Sequence, residues 1–176
     1  MYGGVYMPEA NLLVTFEPSH ESSSKAEIEN LLKEVKESAK ILAIGEGLAQ
    51  VSVKDAKKAL SSLLKIAKKN SEKFSYTYNW WPVDKWCKAE IKDMQKVIAE
   101  LEKGIKKDDK WKLDLAIKQT TKTYPKNVII QLTEVIDKPN VDLDSPDKII
   151  KVEIVKEKAA LSLLTKDEVL SVQKLK

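Results

Sequence analysis

The chain of 176 residues contains no arginine; all 31 of its basic residues are lysines. Lysine meets a phosphate as a mobile point charge, so the planar bidentate fork through which arginine reads oxyanions is excluded. One cysteine, Cys87, excludes an internal disulfide framework and suits a reducing interior, which makes the cytoplasm the expected location. One histidine, His20, stands beside Ser22–Ser24 in the loop expected after the first strand. Residues so close on one loop seldom supply triad geometry, so His20 reads as a solvated loop residue. No apolar run approaches a transmembrane span. The N-terminal MYGGVYMPE lacks both the basic segment and the long apolar segment of a signal peptide. There is no Walker-type loop or GxGxxG, so the nucleotide-phosphate cradles built on glycine are missing, and no resident cofactor or metal is expected.

A hydrophobic content of 43% is enough for ordinary buried cores, in one domain or two small ones. The net charge of +4 is unevenly spread. Residues 1–50 hold 4 lysines and 8 acids, residues 51–113 hold 16 lysines and 9 acids, and the remainder 11 and 10. A basic middle behind an acidic start points to a polyanion partner; a lysine-rich composition of the thermophile kind is the competing explanation.

Hydrophobic periodicity divides the chain in two. NLLVTFEP (11–18) is a strand ended by proline; Ser24 and Glu27 have capping-box spacing ahead of a helix with Ile28, Leu31, Leu32, Val35 and Ala39 on one stripe. ILAIGEGLAQVSV (41–53) is two strands turning at Gly45-Glu46-Gly47, and Asp55 opens a helix with Ala56, Ala59, Leu60, Leu63 and Ala67 inward. KFSYTYNWWPV (73–83) closes a β-α-β-β-α-β order, the ferredoxin-like arrangement. Beyond it, Val83, Cys87, Ile91, Met94, Ile98 and Leu101 share a helical face ended by Gly104, which makes Cys87 a packing residue and no nucleophile. WKLDLAIKQ (111–119) is a strand with Trp111, Leu113, Leu115 and Ile117 inward, Pro125 opens a short helix, and KIIKVEIV and AALSLL are further strands. The expected fold class is α+β: a ferredoxin-like unit over residues 1–80 and a mixed α/β unit over 81–176.

Asp142, Asp144 and Asp147 in VDLDSPDKIIKVEIVKEKAALSLL invite a calcium-loop reading. Pro146 and Asp147 then fall where oxygen and glycine are required, so the cluster reads as a corner whose carboxylates hold the turn backbone. What remains is a middle rich in lysine and tryptophan. Lys85 and Lys88 interleave with Trp80, Trp81 and Trp86; Lys103, Lys106, Lys107, Lys110 and Lys112 follow; Lys118, Lys122 and Lys126 cluster near Thr120, Thr121 and Thr123. Lysines beside a nucleic-acid backbone release counterions, and indoles stack on unpaired bases. Alternatively the lysines solvate the surface and the tryptophans fill an interdomain core.

VDLDSPDKIIKVEIV with its hairpin partner AALSLL resembles the C-terminal signature of the THUMP domain, an RNA-binding module of tRNA-modifying proteins. Asp142, Pro146, Asp147 and Glu153 match the pattern, as positions that define the fold. WWPVDKWCKAEIKDM resembles the segment at which the THUMP unit begins in the tRNA acetylation adaptors, and a ferredoxin-like unit is the usual companion on its N-terminal side. One departure is IKQTTKTYPKN, where the family commonly has a basic run containing arginine.

The resemblance implies a tRNA-binding, non-catalytic adaptor that grips the acceptor stem and its single-stranded CCA end. Many THUMP proteins continue into a modifying domain, and here the sequence ends at Lys176. The implied partner is an RNA cytidine acetyltransferase making N4-acetylcytidine, with acetyl-CoA as that enzyme's cofactor. The ferredoxin-like unit sets the reach to the modified base. Expected phosphate contacts are Lys118, Lys122 and Lys126, with Lys103, Lys106, Lys107, Lys110 and Lys112 as a secondary rim. Lys85 and Lys88 accompany Trp81 and Trp86, which either stack on RNA or pack between the units. A stand-alone RNA-modifying enzyme and a protein-interaction module without RNA affinity are the competing readings.

Overall fold

A computed structural model of the chain describes residues 9–176, so the segment read above for a signal peptide lies almost wholly outside the described residues. The described chain forms two compact units, one of residues 9–82 with Glu168–Lys176 and one of Val83–Asp167.

The first unit runs β1 (Leu12–Phe16), α1 (Glu21–Glu34), β2 (Lys40–Gly45), β3 (Leu48–Ser52), α2 (Ala56–Lys69) and β4 (Thr77–Pro82). Its strands are ordered β2-β3-β1-β4 and every neighbouring pair is antiparallel, which is the ferredoxin-like sheet. The run LLVTF, apolar but for Thr15, suits β1, which is buried at every position between two neighbours. The carboxylate of Asp55 caps α2 by accepting from the Lys58 N–H at 3.1 Å. The β2–β3 turn places Glu46 and Gly47 at φ 51° and 83°, the pair of positive values that a two-residue hairpin demands.

The expected capping box does not form. Helix α1 already begins at Glu21, so Ser24 is buried within its first turns and donates to the His20 carbonyl at 2.7 Å. Glu27 instead accepts from the backbone N–H groups of Ser75, Tyr76 and Thr77. Ala39 lies beyond the end of α1 and is exposed.

The second unit contains β5 (Lys85–Lys88), α3 (Ile91–Glu102), β6 (Trp111–Lys118), α4 (Val128–Thr133), β7 (Lys148–Val155) and β8 (Lys158–Leu164). Its sheet is ordered β5-β8-β7-β6, with β6 and β7 parallel and the other pairs antiparallel. Trp111, Leu113, Ile150, Val152, Ile154, Ala159 and Leu161 point to one sheet face and pack with Met94, Val97 and Ile98 of α3 and Leu132 of α4.

Val83 and Cys87 are not part of that helix, contrary to the periodic reading. A spacing of four keeps residues on one face of a helix and equally of a strand, and pairing of Lys85–Lys88 with β8 selects the strand. Pro125 precedes α4 by three residues, and Ile117, expected inward, is 47% exposed. The division at 80/81 also differs from the observed one: β9 (Leu170–Ser171) pairs with β4, and Leu170 and Val172 complete the core of the first unit.

Candidate nucleic-acid interface

Strand register decides which lysines stand together. Lys118 on β6 is in register with Val155 on β7, Val155 with Lys158 on β8, and Lys158 with Lys88 on β5. Residues in register share a face, so Lys118, Lys158 and Lys88 form one row on the face opposite the helices. Three interstrand steps make that row about 14 Å long. The adjacent row holds Ala116, Glu153, Ala160 and Trp86, which puts the half-buried Trp86 beside the lysines on the same face. The next row adds Asp114 and Lys151; burial depresses the ammonium of Lys151 below its usual range.

The loop that follows β6 lies at the same end of the sheet. Gln119 takes φ 50° directly after the strand, and the Tyr124 hydroxyl donates to the Ala89 carbonyl at 2.6 Å, which fixes the loop against the end of β5. Lys122 contacts the carboxylates of Glu90 at 2.6 Å and Glu157 at 3.6 Å, and the hydrogen bond to Glu90 raises its pKa. Lys118 lies 3.3 Å from the carboxylate of Glu153, which is 1% exposed. Lys88, Lys126 and Lys156 are exposed and make no ion pair among the described residues. Lys122 is thus held between two of the protein's own carboxylates, whereas Lys118, paired with Glu153 alone, keeps its side chain 36% exposed.

The remaining expected contacts lie elsewhere. Lys103, Lys106, Lys107 and Lys110 are exposed around the loop that enters β6, at the opposite end of that strand, and Lys112 follows inside it. From Trp111 to Lys118 is seven residue steps, about 23 Å, so one chain presents two basic ends. Lys85 points to the helix face and pairs with Glu100 of α3 at 3.1 Å. Trp81, in β4, is 2% exposed and offers no face to a base.

The acidic segment forms the corner at the entry to β7. Asp142 accepts from the N–H groups of Asp144 and Ser145, both at 2.9 Å, and these bonds hold its carboxyl below the usual range. Asp147 accepts from the Lys110 N–H at 2.8 Å, while its own N–H donates to the Lys110 carbonyl at 2.7 Å. Pro146 stands directly before it and Glu153 lies buried in β7. The thiol of Cys87, half-buried in β5, is pushed up to about 11, chiefly by burial. His20 packs against Tyr76, with ring centroids 5.2 Å apart. His20 is exposed, as expected of a solvated residue, while Cys87 packs in its sheet.

Lys158, Lys156 and Lys151 are not singled out in the sequence because Lys156-Glu157-Lys158 merely joins two strands there and Lys151 is on the polar side of one. Counting outward from that turn through the alternation of β7 and β8 puts Lys158 and Val155 in register. The further step to Lys88 and Lys118 needs the strand order.

Residues 88–164 match the family model of the THUMP domain, a span that lies within the second unit and covers less than half of the chain. Among solved structures, PH1313 from Pyrococcus horikoshii is similar at 17% identity and a TM-score of 0.63, over 89% of this chain and 55% of that one. TrmN from Thermus thermophilus is similar at 14% identity and 0.55, over 88% and 45%. A 4-thiouridine synthetase in complex with RNA and bound ATP is similar at 14% and 0.55, over 93% and 42%. The chain thus spans about half the length of the structures it resembles, and at these identities the likeness is one of fold. No curated protein matches it in sequence.

Proposed function

We propose, from the THUMP domain at residues 88–164, that this chain binds tRNA and acts as a non-catalytic adaptor. It holds the acceptor stem and CCA end while a separate enzyme, an RNA cytidine acetyltransferase with its own acetyl-CoA, modifies the base, in the cytoplasm. The observation that carries the reading is the row of Lys118, Lys158 and Lys88 with Trp86 beside it and Lys126 on the adjoining loop. Cations spaced along a sheet face follow a phosphate backbone, and an indole next to them supplies a stacking surface for an unpaired base. A single-stranded end exposes base faces and edges that an A-form stem conceals. A solved structure of similar fold, that of the 4-thiouridine synthetase, contains RNA, which further supports an RNA ligand. The half-buried Cys87 thiol, pushed up to about 11, stays protonated, which supports an accessory role over thiolate catalysis.

Fluorescence anisotropy with intact tRNA and with tRNA lacking CCA, at several salt concentrations, tests the proposal. Salt-sensitive binding that weakens when CCA is removed supports acceptor-end recognition; equal binding to both moves the contacts to the stem or elbow. No binding refutes the RNA reading. A solved structure of similar fold is that of a 4-thiouridine synthetase, an enzyme, and this favours one second reading, a modifying enzyme in its own right. Conversion of a tRNA base by the purified protein with a donor added would establish it.

A further inference from the structure

Strand β6 is an edge of its sheet, with β7 on one side only. Trp111 uses its outer side: its N–H donates to the Asn140 carbonyl and its carbonyl accepts from the Asp142 N–H, both at 2.9 Å. In a parallel ladder the residues alternate, each directing both backbone groups to one side. Trp111 therefore sets the phase, and Leu113, Leu115 and Ile117 direct their N–H and C=O groups outward. Past Trp111 no other strand pairs with that edge among the described residues. Ile117 beside it is 47% exposed, which leaves an apolar side chain at an open edge.

We infer that β6 pairs antiparallel with β6 of a second copy of this chain, about a twofold axis through Ala116, joining two four-stranded sheets into one of eight. Three features select the second copy and the register. Leu115 stands opposite Ile117 of the second copy, and the two exchange both backbone bonds; symmetry repeats this and gives four bonds in all. Ala116 faces itself at the close, non-bonded position, where the symmetry axis puts like against like and a small neutral residue fits. Asp114 stands opposite Lys118 of the second copy, twice, and opposite charges across a non-bonded pair attract. Moving the register by two residues in one direction puts Lys112 against Lys118, and in the other it loses both attractions. The segment at Asn140–Asp142 covers only the Trp111 end, beyond the paired stretch.

The pairing has a consequence that rests on the RNA reading. Within one chain the basic ends of β6 are about 23 Å apart. Across the pair, the end carrying Lys118 and the loop to Lys126 adjoins the second copy's end carrying Lys110 and Lys112, so two separate clusters become one continuous surface.

Sedimentation velocity without RNA, from micromolar to millimolar protein, tests the pairing independently of any RNA result. The expected result is a reversible dimer. Ile117→Pro removes an outward N–H that no strand within the chain uses, so the fold tolerates it while two of the four intermolecular bonds are lost. Its dimer dissociation constant rises about tenfold or more, at ~1 kcal/mol per backbone bond. Asp114→Lys places like charges opposite each other and weakens the dimer likewise. Under mild oxidation Ala116→Cys forms a covalent dimer, since Cα atoms about 4.5 Å apart accept a disulfide, whereas Lys103→Cys does not. A monomer at every concentration overturns the inference, as does a dimer indifferent to Ile117→Pro or an Ala116→Cys protein that fails to cross-link.

Discussion

Replacing Lys118 by Met removes the cation beside a carboxylate that has almost no contact with solvent. Nζ of Lys118 lies 3.3 Å from Oε2 of Glu153, and the glutamate is 1% exposed while the lysine side chain is 36% exposed. At that separation two unit charges attract by roughly 5 kcal/mol at an effective dielectric constant near 20. Water at the lysine end lowers this, and the cost of losing one partner falls to about 2–3 kcal/mol, below the ~3–5 of a fully buried pair. Methionine preserves most of the apolar stem, so the loss reports charge and not packing. Hydrogen exchange at amides of β6 and β7, with urea unfolding alongside, reads the effect within the second unit alone. The double variant Lys118→Met with Glu153→Met removes both charges and is expected within about 1 kcal/mol of the parent. A single variant as stable as the parent would refute the reasoning, as would a double variant that loses the sum of both single effects.

Other perturbations follow from the same geometry. Lys126→Ala, which removes an exposed lysine without an ion pair, is expected to lower the slope of log K against log salt for tRNA by about 0.7–0.9. Lys122→Ala leaves that slope nearly unchanged yet weakens binding, because it releases Glu90 and Glu157 next to the RNA; equal slopes for the two variants would contradict this division. The Cys87 thiol, raised to about 11 by burial, resists alkylation at pH 8 until the protein unfolds. Since the thiolate is favoured in the unfolded chain, this group's contribution to stability is complete below its ordinary pKa near 9 and is lost as pH rises toward 11; Cys87→Ala removes that component of the pH profile. Gly47→Ala adds a Cβ 3.0 Å from Pro18 Cγ at φ 83°, with an expected cost of about 1–3 kcal/mol by urea denaturation.

Much was legible along the chain because it depends on near neighbours. The ferredoxin-like order followed from alternation and helical stripes, the cap at Asp55 from one side chain reaching one turn, and the β2–β3 hairpin from Gly47 tolerating a positive φ. The turn at Asp142 was legible for the same reason: its carboxylate bonds backbone groups two and three residues on. Spacing alone left Cys87 ambiguous, since four residues apart is one face in either periodicity, and a partner strand some seventy residues later made it part of β5. The candidate interface divides along the same line. Composition and charge pointed to lysines near Trp86, but sequence order grouped Lys118 with Lys122 and Lys112 with Lys110. Register across four strands instead grouped Lys118 with Lys158 and Lys88, and long-range ion pairs removed Lys122 from the available charge. Local chemistry is written in the order of residues. Which charges face together depends on which strands pair, and that is a property of the tertiary structure.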